Sequence, residues 1–454
     1  MMLRGTATFF FLLGVAVTCA TAGDTPWKAG IARANITPEL PIWLAGYGAR
    51  NRPANEKLDD LWAKALLLED STGNRAVLIT MDLVGISREL SAETCRRVEG
   101  KYGLPRSAIA LCTSHTHSGP SIRGFSEPVF SLDEDQSRRV ASYSDELVDK
   151  LVAVVGEAID SLKPARLSCA NGVATFAVNR RNNVEAQVPQ LRAIQLLAGP
   201  VDYDVPVLLV HDADDTLRAI VAGYACHATV LDTYRVSGDW PGAAQNEIER
   251  RHPGTTAFFW AGCGADQNPL PRRTGDLLHQ YGREFADAID LTLRGTLTPI
   301  AATLKTAYQE IELPFAPLPT RAELELEVTK QSPQSREWRW ANHLLTSWDR
   351  DGQLSPTYPY PVQAWQLGSD LTWLMLGGEV VVDYALRFKS EFSPGRTWVA
   401  SYSNDVMGYI PSRRVLAEGG YEGGLARIPY GLPAPWDPRI EQLIVDAGHE
   451  VADR

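Results

Sequence analysis

The sequence has 454 residues, 44% of them hydrophobic and 22% charged, ordinary globular values at a length that buries one large core or two smaller ones. Its net charge of −11 excludes a nucleic-acid partner, because phosphate backbones are held by clustered Lys and Arg, and no basic run interrupts the acidic surplus.

The first predicted feature is an export signal. Arg4 supplies a positive start, "FFFLLGVAV" an apolar stretch too short to span a bilayer, and Ala20-Thr21-Ala22 a small-residue cleavage site. A signal peptide over residues 1–22 is expected, with a secreted or periplasmic chain beginning near Gly23. Ala16-Val17-Thr18 before Cys19 fits a lipid-attachment motif poorly. No later stretch reaches the roughly eighteen apolar residues of a spanning helix, so no transmembrane helix is expected in the mature chain. Loss of Cys19 leaves Cys95, Cys112, Cys169, Cys226 and Cys263, an odd and sparse set, so the core and not a disulfide framework has to hold the fold.

Further along, "RAVLITMDLVGI" (75–86) and "AIALCTS" (108–114) read as buried strands. Ser144 to Leu162 reads as a helix on Leu147, Leu151, Val154, Ala158 and Leu162. "VPVLLVHDADDTLRAIVAGYACHA" reads as two apolar strands joined by an Asp-rich turn, an antiparallel hairpin within a mixed sheet. Residues 313–361 are proline-bracketed and polar, with a capping box from Thr320 to Glu323 and a second, Trp-rich helix near "REWRWANHLL". They predict a helical excursion from a single domain over 23–454. The fold class is α/β, with mixed sheets flanked by helices.

Polar residues gather where strands end. "LCTSHTHSGPS" places His115 and His117 one residue apart after an apolar strand. Strand alternation would point both imidazoles to one face, where they share a metal or divide metal binding and proton transfer. "AIVAGYACHAT" ends a strand on His227, "LTWLMLGGE" ends one on Glu379 before the helical "VVVDYALRF", and "TWVASYSNDVMGY" leads to Tyr409. Open α/β proteins build sites at the carboxyl ends of strands. Imidazoles plus a carboxylate with an open position suit a catalytic zinc better than magnesium or calcium. Singly, His227 also reads as a satisfied core histidine, Glu379 as a helix N-terminal carboxylate and Tyr409 as a core aromatic. Asp82, ending "LITMD", and Asp239, in "SGDWPG", are candidates to hydrogen-bond a metal-bound imidazole. A competing chemistry is a cysteine hydrolase, since Cys263 sits between glycines in "AGCGA" like a nucleophile on a tight turn. A third reading is an exported binding protein that kept the fold and lost the chemistry.

"GIARANITP", "LAGYG", "TSHTHSGP", "CHATVLD…SGDWPG", "GCGADQNP", "GGE" and "GYIPS…YEGG" occur in the order seen in the catalytic domain of the neutral/alkaline non-lysosomal ceramidases. The chain resembles that family from about Gly30 to Trp436. The resemblance implies a zinc-dependent amidase that cleaves the N-acyl bond of ceramide, and so a place in sphingolipid metabolism, with one zinc per chain. It implies His115, His227, Glu379 and Tyr409 as ligands and His117 as the proton shuttle that serves the leaving amine. It also implies Arg180, in "AVNRRNN", and Tyr421, in "GYEGG", as the pair that holds the reacting carbonyl, with metal-activated water as the attacking group.

The sequence departs from the family at two places. In "GCGADQNP" Gln267 falls where the family block Gly-Asp-Val-Ser-Pro-Asn has its serine, which closes an acyl-serine route there and leaves Gln267 and Asp266 as candidates to orient water or substrate. The chain also ends about twenty residues past "YGLPAPW", where full-length members continue into an immunoglobulin-like domain, so that domain is expected to be lacking. Long apolar insertions are not evident, and the expected substrate widens to a small-molecule or lipid N-acyl compound, amide or ester. The oligomeric state is left open. A pure binding module has no chemical need for the ligand set, His117 and Arg180 together, which favours the hydrolase over the binding protein.

Overall fold

Strands dominate the first half of the chain because its apolar runs are short and rich in β-branched residues. The computed structural model describes residues 27–125, 130, 132–369 and 371–454, and the expected signal peptide lies outside them. A nine-stranded mixed sheet is built from β1 (Trp27–Asn35), β2 (Trp62–Glu69), β3 (Arg75–Met81), β4 (Ile109–Thr113), β5 (Lys163–Val173), β6 (Asp204–Asp212), β7 (Leu217–Tyr224), β8 (Thr256–Ala261) and β9 (Thr298–Ile300). Its order is β8-β7-β6-β5-β1-β2-β3-β4, with β9 beside β5. The pairs β3/β4 and β7/β8 are parallel and the others antiparallel, and the expected hairpin is β6/β7, paired from Val207↔Ala222 to His211↔Leu217. A second, four-stranded sheet runs β10 (Leu304–Pro314), β11 (Thr357–Leu367), β12 (Leu371–Leu376), β13 (Thr397–Ala400), with β12/β13 parallel.

The two sheets pack face to face. Between them lie Trp260 of the larger sheet and Trp365, Trp373 and Trp398 of the smaller, together with Leu66, Leu78, Leu208 and Met375. Helices cover both outer faces: α1 (Arg88–Tyr102), α2 (Glu134–Asp160), α3 (Asp239–Arg251) and α4 (Gly275–Leu293) on the large sheet, α7 (Val382–Glu391) and α8 (Ile440–Asp453) on the small one. Burial on both faces explains why the strands read as continuous apolar runs. At Gly30 the backbones of β1 and α2 approach so closely that a Cβ would overlap the Ala158 carbonyl.

Helices α5 (Arg321–Lys330) and α6 (Arg336–Asp351) lie between β10 and β11, and Thr320 and Glu323 form the capping box in full. They enclose a small cluster of Leu324, Trp340, Ala341, Leu344 and Leu354, and Trp340 donates its indole N–H to the Leu432 carbonyl at 2.8 Å.

Two boundaries differ from expectation. Helix α2 starts at Glu134 instead of Ser144, because Asp133 caps it by accepting from Gln136 N at 2.8 Å while only Val140 and Tyr143 of the polar first turns are buried apolar residues. Strand β3 stops at Met81, where the chain turns and the Asp82 carboxylate accepts from Trp62 N at 2.9 Å.

Candidate metal centre

Bridges Cys112↔Ser403 and Gly262↔Ala400 tie the two sheets together, so the loops after β4, β7, β12 and β13 open onto one place. His115 and His117 lie beyond the end of β4, not on it. The convergence of the two imidazoles therefore does not come from strand alternation. His115 is left-handed at φ 59°, and the turn is held by a Thr116↔Ala228 bridge to the loop that carries His227. His227 N in turn donates to the Gln267 carbonyl at 2.9 Å. Gly377 and Gly378 follow β12, and Gly378, at φ 74°, lets the chain swing Glu379 into a two-residue parallel ladder with Tyr409.

The ring nitrogens are sorted by their partners. His115 Nδ1 meets the Val84 carbonyl at 2.5 Å and His227 Nδ1 meets the Gly264 carbonyl at 2.7 Å. A carbonyl only accepts, so both Nδ1 atoms carry a proton, and the two Nε2 atoms are left to face the site. Those Nε2 atoms face Glu379 Oε2 at 3.1 and 3.2 Å, and His117 Nε2 lies 3.0 Å from His115 Nε2. Burial, with Arg180 next, pushes the His227 imidazole down to about 4, so it is neutral at neutral pH. Burial alone would raise the Glu379 carboxyl, but His115 and His227 hold it well below the usual carboxylate range. Its Oε1 accepts from the Tyr430 hydroxyl, whereas Oε2 is buried without a hydrogen-bond partner. Imidazole nitrogens and a carboxylate oxygen thus converge in a buried space, a donor set that suits a cation.

The spacing suits one. Ligands about 2.0–2.1 Å from a tetrahedral ion lie roughly 3.3 Å from each other, close to the separations above. His115, His117 and His227, all buried, bring ligand atoms within 4.8 Å of one another and could hold a metal ion.

Tyr409 sits at the edge of this group, its hydroxyl 3.5 Å from His227 Nε2. Arg180 donates to that hydroxyl at 3.0 Å, approaches His227 Nε2 at 3.5 Å and is anchored by Glu422 at 2.7 Å. The Tyr421 ring lies 5.3 Å from that of Tyr409 and is 46% exposed at the mouth of a cleft of about 610 Å³. His117 lines the same cleft, its Nδ1 buried without a partner. Burial lowers its pKa well below the ordinary imidazole range, and a second cation beside the His115 and His227 rings is disfavoured.

Five residues have other surroundings than their expected roles require. The imidazoles lean on backbone carbonyls and not on Asp82 or Asp239. Asp82 accepts from Trp62 N and from Gln245 at 3.2 Å, while Asp239 accepts from the backbone of Val230, Leu231 and Trp240 and so fixes the loop after His227. Gln267 is fully buried and spends its side chain on the Ala225 carbonyl at 2.5 Å and on Asp202 N at 2.9 Å, so it holds strands and does not face the cleft. Asp266 likewise accepts from Val382 N at 2.9 Å and Asn179 at 3.0 Å. Cys263 is also corrected as a nucleophile: it is fully buried in the core of the smaller sheet, and burial pushes its thiol well above the ordinary range. The sequence reading did not find Tyr430 or Glu422. Nothing in "ARIPYGLP" marks the first, and the second stands beside the flagged Tyr421 in "GYEGG".

Residues 27–295, more than half of the chain, match the family model described as neutral/alkaline non-lysosomal ceramidase, N-terminal. Neutral ceramidase of Drosophila melanogaster is similar at 24% identity over 287 residues, 58% of this chain and 38% of that protein. Neutral ceramidase A of Dictyostelium discoideum is 24% identical over 243 residues, 51% of this chain and 31% of that protein. The match thus spans about two fifths or less of these relatives' length. The crystal structure of neutral ceramidase from Pseudomonas aeruginosa has the same fold, with a TM-score of 0.72 at 20% identity over 95% of this chain and 74% of that one.

Proposed function

The chain belongs to the neutral/alkaline non-lysosomal ceramidase family, and on that premise we propose that it is an exported, single-domain, zinc-dependent hydrolase of an N-acyl bond. The observation that carries the reading is the meeting of the His115 and His227 Nε2 atoms with a buried Glu379 oxygen at 3.1 and 3.2 Å. His115, His227, Glu379 and, at the edge, Tyr409 would hold the ion. When bound, it supplies Lewis acidity where an acyl carbonyl and a water meet.

The remaining work falls to the chain's own groups. Arg180, already fixed by Glu422, and Tyr421 are placed to donate hydrogen bonds to the carbonyl oxygen as it gains charge, a contribution of roughly 3 kcal/mol for one good donor. His117, on the cleft side of His115, takes a proton from the attacking water and returns it to the nitrogen that leaves. Its depressed pKa keeps the imidazole neutral and ready to accept. A water route needs no serine, which agrees with the structural role of Gln267.

The test is the metal content of protein from about Gly23 onward, as wild type, His115→Ala and His227→Ala. About one zinc per chain, lost in both variants, with amide hydrolysis abolished by a chelator, is expected. A metal-free chain that still hydrolyses amides would sink the proposal.

A further inference from the structure

The cleft above His117 is walled mainly by polar and charged side chains, with almost no aliphatic surface. Its charged side chains are Arg180, Arg181 and Arg272 against Glu185, Glu418 and Glu422, formally balanced and already paired. Arg181 donates to Glu422 at 2.6 Å and to Glu418 at 3.0 Å, and Arg272 to Glu185 at 3.1 Å. Leu270 is the sole aliphatic side chain lining this wall among the described residues, and it is 1% exposed because it packs inward on Val178 and Val188; the other apolar surface is the rings of Tyr47, Tyr409 and Tyr421, each ending in a hydroxyl. An alkyl chain laid here would strip water from the ion pairs and return no hydrogen bond. The groups that do lack partners are polar. Thr229 Oγ1, on a residue only 2% exposed, and His117 Nδ1 both line the cleft, buried and unpaired.

We infer that the cleft takes a hydrophilic N-acyl compound, a short acyl group on an amine that carries hydroxyls, and not a two-chain lipid. The inference rests on the hydrolase reading and names its substrate class. Paired carboxylates retain lone pairs for hydroxyl donors, the arginines hold those carboxylates in place, and Thr229 supplies a hydroxyl that can both donate and accept. A balanced wall selects a neutral head group, because an added charge of either sign would meet a like charge. The contrary sign is apolar surface on flanking segments, where Val184 is 62% and Leu425 60% exposed. Contact of these with a lipid surface is the competing outcome.

The zinc-loaded full chain is assayed for kcat/KM on N-acetylglucosamine, N-palmitoylglucosamine, N-acetylserinol and long-chain ceramide in mixed micelles. The acetyl compounds are expected to exceed ceramide by about tenfold or more, as expected for a site built for hydrogen-bonding groups. The Thr229→Val variant is expected to raise their KM about tenfold with kcat kept, and to leave its melting temperature unchanged. Ceramide turning over fastest, or rates rising with acyl length, overturns the inference and leaves the amidase standing. If the zinc-loaded protein cleaves none of them, the hydrolase reading fails, and titration calorimetry with the same compounds decides the inference: heat from the acetyl compounds supports it, heat from ceramide alone refutes it.

Discussion

The Tyr430 hydroxyl donates a hydrogen bond to Glu379 Oε1 and so leaves Oε2 to face His115 and His227. Tyr430→Phe removes that donor without changing the ring, and metal affinity is expected to fall roughly 10–100-fold, the usual cost of losing a partner behind a ligand. Competition against a chromophoric chelator reads this directly, and an unchanged affinity rejects the role. The sequence could not show the contact, because Tyr430 and Glu379 are 51 residues apart with no periodic pattern linking them. At Glu422 the miss was of one residue: the Tyr421–Leu425 turn points Glu422 inward at 6% exposure and Tyr421 outward at 46%. Asp405 offers a pH test on a carboxyl outside the proposed ligand set. Burial pushes its carboxyl up to about 7 from 3.8, against the hydrogen bond from Tyr358 and the charge of Arg88. The folded state therefore prefers it protonated, so its contribution is complete below pH 3.8 and is lost as pH rises through about 7. In urea unfolding, Asp405→Asn should gain on the wild type steadily between those values. A stability difference that does not vary with pH would exclude the buried-acid reading.

Among the elements, those whose pattern is local were legible: the hairpin β6/β7, the capping box before α5 and the apolar stripe of α2 from Ser144 onward. Less legible was geometry set by a neighbour. The two histidines of "THTHSGP" converge through a left-handed turn pinned to the loop after β7, and strand alternation, which predicts the same convergence, is not its cause. Close approach is another case, since "AGIARA" does not announce that Gly30 lies under α2. Gly30→Ala has to part β1 from the helix, and overpacking of this kind costs about 1–3 kcal/mol. The urea midpoint should fall accordingly with the slope unchanged, and a variant as stable as wild type would show that the helix shifts at no cost.

At the scale of the molecule, the sequence told α/β but not that two sheets lie face to face. Strands buried on both sides show no alternation to say which face meets what, and Trp260, Trp365, Trp373 and Trp398 look alike as core residues until the sheets are stacked. This stacking also gives the metal centre a mechanical meaning. His115 and His227 follow strands of the large sheet, whereas Glu379 and Tyr409 follow strands of the small one, so an ion held by all four cross-links two cores. Ligand bound only by the folded chain stabilises it by RT ln(1 + [L]/Kd), about 2.7 kcal/mol at a hundredfold excess over Kd. Added zinc should therefore raise the melting temperature of the stripped protein by several degrees, and should slow amide exchange in the loops after both β4 and β12 together. Glu379→Gln replaces the carboxylate by a weaker ligand and should lose most of the zinc-induced shift, measured against its own stripped melting temperature. Zinc that binds without moving the melting point, or that protects the loop after β4 alone, would place the ion on the histidines of the large sheet and leave Glu379 outside its coordination.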